Sequence, residues 1–241
     1  MTPMLNEPRR SAATLVGVMT LVLVELRKTV DTRAARWLLA VVAVLTVAAP
    51  LVQTGPWTFP DLAGAAQLPV SILLPVLAVL SVTSEWSQRT ALTTFALVPR
   101  RWRVVLAKLA AVALLGLAAA LFALGCAAAF AGDLDPAVAA QLVLVELATM
   151  LCGFGFGLLV LSSAPGVAAY YVLPIAWAAA GRLVPALEPA ARWLDLSRTR
   201  VPLAAPGVSA QEWTRFGASA ALWVVLPVLV GLLRTARADV R

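Results

Sequence analysis

Glu146 is the acidic residue that lies deep within an apolar stretch of this chain, and Gln141 precedes it by little more than a helical turn. A carboxylate in such surroundings faces a bundle interior or a wet cavity, where it contacts a proton or a polar cargo, or else makes a structural hydrogen bond. Gln141 is expected to share its environment. Tyr170 and Tyr171, in the next apolar stretch, are candidates to line a path, although aromatic residues in a bundle more often pack. The chain has no histidine, so histidine-based zinc, haem and catalytic-base chemistry is absent from it. Cys126 and Cys152 both fall in apolar stretches and read as small packing residues rather than a disulfide or a metal pair.

Lysine is confined to Lys28 and Lys108, preceded by Arg27 and Ala107. A Walker A loop needs Gly-x-x-x-x-Gly-Lys-Ser/Thr to wrap phosphates, and neither lysine fits. The chain therefore reads as no ATPase and holds no cofactor of its own. The run Cys152-Gly153-Phe154-Gly155-Phe156-Gly157 pairs Gly153 with Gly157 at the small-xxx-small spacing of close helix packing. No paired acidic cluster suggests a metal-dependent lipid transferase.

The elements that carry these residues follow from composition. Of 241 residues, 61% are apolar and 13% charged, against about half and a quarter in soluble domains. Such a chain cannot cover itself with polar surface, and its apolar runs reach the roughly 20 residues that cross a bilayer. The fold class is all-α integral membrane. Six spans are expected at 36–52, 62–83, 104–131, 137–162, 166–184 and 216–233, within a transmembrane domain of residues 35–235. Gly55-Pro56, the 132–136 segment and Ser162-Ser163-Ala164-Pro165-Gly166 punctuate them, and Pro69, Pro75, Pro174 and Pro227 fall inside.

Residues 12–24 are apolar but too short to cross, and they run into Glu25, Arg27, Lys28, Asp31 and Arg33. Glu25–Lys28 and Arg27–Asp31 have the spacing of helical ion pairs. Residues 1–34 are thus expected to be a cytoplasmic segment with an amphipathic helix in the interface, and no cleavable signal peptide is read there.

Arginine and lysine placement sets the orientation. With both termini inside, the inner face takes fourteen of the 19 basic residues. The outer face takes Arg182, Arg192, Arg198, Arg200 and Arg215, all around the last loop. Trp37, Trp57, Trp86, Trp102, Trp193 and Trp213 mark span ends. The net charge of +7 then suits anionic lipid rather than nucleic acid.

The basic inner segment between spans two and three carries Glu85, Trp86, Arg89, Thr90, Pro99, Arg100, Arg101 and Lys108. In type and order it resembles the corresponding segment of the permease subunits of bacterial type-two ATP-binding-cassette exporters, with Arg89 where that pattern has glycine. The 24–37 helix with Glu25, Arg27 and Lys28, and the basic 236–241 tail, resemble that family's interfacial helix and cytoplasmic tail. The resemblance implies a multi-pass protein of the bacterial cytoplasmic membrane, paired with a nucleotide-binding ATPase subunit and with a second copy of itself or a related permease. ATP and Mg would sit on the partner. Glu85, Trp86, Arg89, Thr90, Pro99, Arg100 and Arg101 would couple to it, with the Ser162–Pro165 turn as a second contact. Drug, antimicrobial-peptide, lipid and polysaccharide-precursor cargoes all stay open, and a lone permease this compact leans towards a drug-like or antimicrobial-peptide compound. The alternative is an ATP-independent transporter or channel-like protein.

Overall fold

The computed structural model describes residues 7–54, 57–87 and 101–237, with side chains within 19–54, 57–84 and 104–234. Every regular element in them is helical: α1 (Glu7–Val30), α2 (Arg33–Leu51), α3 (Phe59–Leu73), α4 (Pro75–Ser87), α5 (Arg101–Ala131), α6 (Pro136–Val160) and α7 (Ser163–Leu183) come first. Two short helices, α8 (Glu188–Leu194) and α9 (Leu196–Thr199), lie between 3-10 turns, followed by α10 (Ala210–Ala220), a π turn and α11 (Leu226–Arg237). Caps set several boundaries. Thr32 accepts from the Ala35 amide at 3.1 Å to open α2, and Asp135 accepts from Ala137 and Val138 amides at 2.9 and 3.2 Å to open α6.

Six of the resulting helical segments are long and apolar enough to cross a membrane: Arg33–Leu51, Phe59–Ser84, Val104–Ala131, Pro136–Val160, Ser163–Leu183 and Ala210–Arg234. They coincide with the six expected spans, with starts shifted by three residues at the first, second and fifth and by six at the last. The last begins at Ala210 rather than 216, because Ser209 and Glu212 form a capping box. The fifth begins at Ser163 rather than 166. Leu161, at φ 56°, ends α6 in the left-handed region, and the chain re-enters a helix at once. Pro165 is tolerated there because first-turn amides have no intrahelical partner.

Large apolar side chains on α2 and α7 face outward, among them Trp37, Val44, Val172 and Ile175. That pattern suits a lipid surround and would be an aggregation hazard in water.

Span two is broken, and the break is local. Pro75 has no N–H to give the Ser71 carbonyl, and Leu77 instead donates to Leu74 at 2.9 Å. Pro69, equally conspicuous in the sequence, sits within α3 without interrupting it. At the break, the Ile72 carbonyl accepts from the Tyr171 hydroxyl of α7. The last span carries its own irregularity, the π turn Ala221–Val225 just ahead of Pro227.

Both irregular spans lean on α6, the central helix. A Cβ at Gly153 would lie 2.7 Å from the Pro75 carbonyl oxygen, and one at Gly157 would lie 3.0 Å from that of Val79. Gly155 points the other way, where a Cβ would meet that of Pro227 at 2.9 Å. Alternate positions on a helix face nearly opposite sides, so three glycines admit one span on each flank. Gly153→Val should therefore lower the thermal unfolding midpoint in detergent micelles, by the about 1–3 kcal/mol of an overpacked contact. Gly125→Val, where a Cβ meets nothing within 4 Å, should leave it nearly unchanged. Equal losses at the two positions would contradict the packing.

Candidate functional site

The spans alternate in direction, so the bundle has two ends. One end carries α1, the junction of α4 with α5 and the α6–α7 turn. The other carries residues 185–209.

At the first end, Glu25 of α1 is buried against the bundle, 4% exposed. Lys108 of α5, 6% exposed, places Nζ 2.5 Å from Glu25 Oε2 and donates to the Ser81 carbonyl of α4 at 3.1 Å. Lys28 reaches Glu25 Oε1 at 2.9 Å from the exposed side. The expected Glu25–Lys28 pair is thus present, while Arg27 is exposed. The Glu25–Lys108 contact across the fold was not anticipated. The signal for it was a lysine inside an apolar span, which needs a counter-charge.

This ion pair ties three helices at one point. On its other flank α4 is held by Thr83, whose Oγ1 lies 2.9 Å from Ser163 Oγ. The α6–α7 turn therefore contacts α4.

Of the coupling candidates, Glu85 and Trp86 fall in the last turn of α4 and Arg101 opens α5, placed by their backbone. Arg89, Thr90, Pro99 and Arg100 lie outside the described residues.

The second cluster surrounds Glu146, which is fully buried in α6. Its Oε2 accepts from Ser71 Oγ of α3 at 2.7 Å, and its Oε1 has no hydrogen-bond partner among the described residues. One turn before Ser71, Gln67 is also buried, and neither amide atom is paired among the described residues. Arg200, from the loop at the far end, is within electrostatic reach of both Glu146 and the Tyr170 hydroxyl. Tyr170 is buried edge-on to Phe156 and Tyr171, with ring centres 6.3 and 4.8 Å away.

Glu146 and Tyr170 thus belong to one centre, and Tyr171 caps the broken span beside it. Gln141 does not join them. With its nitrogen turned towards the loop, its amide donates to the Leu203 and Ala205 carbonyls at 2.9 and 3.2 Å. Its expected sharing of the Glu146 environment is corrected, because loop carbonyls need a donor and Gln141 lies at that end of α6. Gln67 and Ser71 were the residues missed. Two polar side chains four apart in an apolar span were their signal.

Chemically, among the described residues, the centre holds unused hydrogen-bonding capacity, an acceptor on Glu146 and both ends of the Gln67 amide, beside an interrupted helix. Irregular backbone with polar side chains at membrane depth is the usual makeup of a site for a polar group or an ion.

Removing one partner of the buried ion pair leaves the other charge uncompensated, at about 3–5 kcal/mol. Lys108→Met and Glu25→Met should each lower the unfolding midpoint in micelles, and the double variant should recover much of the loss. Additive losses would show that the two side chains act independently. At the second cluster, Ser71→Ala should destabilise by about 1–3 kcal/mol, as expected for a buried acceptor that loses its donor. Gln141→Ala should instead loosen residues 203–205, read as faster amide exchange there.

No protein-family model matches this chain, and no curated protein sequence matches it.

Proposed function

We propose that this chain is the permease subunit of an ATP-driven exporter, forming its translocation path as a dimer and coupled to separate ATPase subunits in a bacterial cytoplasmic membrane. The observation that carries this reading is the arrangement at the α1 end. A helix ahead of the first span is anchored through Glu25 to Lys108 and Ser81, on the two helices that flank the basic 88–100 segment. A push on that segment from a docked subunit would reach α1, α4 and α5 together, and through Thr83 and Ser163 the α6–α7 turn. Glu85, Arg89, Arg100 and Arg101 are the directional contacts for docking, with both termini on the ATPase side. The two lysines fit no phosphate loop, so hydrolysis falls to the partner. A drug-like or peptide amphipath is the cargo this reading favours.

A second reading, transport without ATP, rests on the Glu146 centre. A buried acid beside a broken span is a frequent feature of ion-coupled carriers.

Native purification separates the two. On the first reading an ATPase subunit with a Walker A loop copurifies, and vesicles holding the complex move an amphipathic dye only with ATP. Glu85→Ala together with Arg100→Ala then reduces transport about tenfold, the range of a typical coupling energy. Transport that follows a proton gradient, ignores ATP and survives those substitutions would replace it with the second.

A further inference from the structure

The face opposite α1 holds five arginines, Arg182, Arg192, Arg198, Arg200 and Arg215, where the charge bias of the rest of the chain would leave few. The fold gathers three of them. Arg192 of α8, Arg198 of α9 and Arg215 of α10 line one open cleft of about 340 Å³, with Glu188 and Glu212 also on its walls.

Both carboxylates are already engaged. Glu188 accepts from Arg192 Nε at 2.6 Å and lies 3.6 Å from Arg198 Nη1. The Arg192 hydrogen bond holds its carboxyl below the ordinary carboxylate range, so it stays charged and keeps Arg192 occupied. Glu212 is taken up by the cap of α10, where its Oε2 accepts from the Ser209 amide and hydroxyl at 2.7 Å each.

Arg198 is left loosely tied. Arg215 has no carboxylate within ion-pair distance among the described residues. Its guanidinium carbon lies 5.7 Å from the centre of the Trp193 ring, and its Nε is shielded from solvent without an acceptor among the described residues.

The elements that carry these arginines are fixed from below. Asp195, buried, accepts from the Ser197 and Arg198 amides at 2.9 and 3.3 Å. Thr199 and Ser219 bond at 2.6 Å between α9 and α10, and Trp223 of the last span donates to the Leu194 carbonyl at 2.6 Å. Such buried ties hold the guanidinium groups in place before any ligand arrives.

We propose that this cleft binds a phosphate-bearing head group, with Arg198 and Arg215 as its principal donors. A planar guanidinium fork matches phosphate oxygens, and two forks from different helices grip a tetrahedral anion better than a flat one. The walls are mainly polar, which excludes an apolar occupant. Trp193, exposed, lies against Arg215 of the cleft, and indoles favour the head-group zone of a bilayer. A lipid of that leaflet and free phosphate offer the same chemistry. The site does not depend on the exporter reading, and its test needs no ATPase.

The full chain, purified in micelles of a neutral detergent, is titrated with dioctanoyl phosphatidylglycerol, with inorganic phosphate and with dioctanoylglycerol, which lacks phosphate. Tryptophan fluorescence and native mass spectrometry report binding. The phosphate-bearing lipid should saturate and dioctanoylglycerol should not. Arg198→Gln with Arg215→Gln should weaken binding about tenfold or more, as expected for lost charge-assisted hydrogen bonds. Arg182→Gln, elsewhere on that face, should have no effect. Arg215→Lys keeps the charge without the fork, and its several-fold loss serves if the double variant does not fold. Saturation by inorganic phosphate alone, with the same arginine dependence, assigns the cleft to the free anion. Binding indifferent to Arg198 and Arg215, or weakened equally by Arg182→Gln, would overturn the proposal.

Discussion

Inside a bilayer no water is available for a backbone group that loses its helical partner, and the architecture answers to that constraint first. Pro75 and the π turn ahead of Pro227 each disturb a span, and each disturbed segment is pressed onto α6, the most enclosed helix. The glycines at 153, 155 and 157 let backbone approach backbone on both flanks. Direct contact with a rigid neighbour and the Tyr171–Ile72 hydrogen bond take the place of solvation. The same closeness explains why α2 and α7, packed less tightly, present apolar side chains outward.

Polar side chains within the spans obey the same rule, and the way they satisfy it sorts them. Lys108, Glu25 and Ser81 close a three-helix junction whose charges are matched. Glu146 is only half satisfied, by Ser71, and Gln67 beside it is not satisfied at all among the described residues. A matched junction transmits displacement; an unmatched one has room for a further hydrogen bond. The first sits at the end where the basic segment joins α4 to α5. The second sits midway along α6, below the loop that carries Arg200. The two therefore suit different tasks, one mechanical and one concerned with what is bound.

The spans were legible because length and hydropathy are local properties, and the bilayer demands both. The cap at Ser209 moved the start of the last span from 216 to 210 without changing the count. Less could be read where the outcome depends on packing. Pro69 and Pro75 look alike in the sequence, yet only Pro75 interrupts its helix. Glu25 read as a surface charge with Lys28, and its burial depends on Lys108 from a distant span. Gln141 and Glu146 share a helix, but the loop carbonyls at 203 and 205 claim the first and Ser71 the second. The clustering of the far-face arginines was likewise hidden, since Arg192, Arg198 and Arg215 come from three helices.

The proposed function requires residues 88–100 and residues 185–209 to lie on opposite sides of one membrane, the former in the cytoplasm. Single cysteines at these places, Thr94→Cys and Ser197→Cys, in a chain with Cys126 and Cys152 replaced by alanine, can be treated in intact cells with a membrane-impermeant maleimide. The account predicts that Ser197→Cys is labelled at once and Thr94→Cys only after the membrane is opened. Labelling of both from outside, or of Thr94→Cys alone, would contradict it.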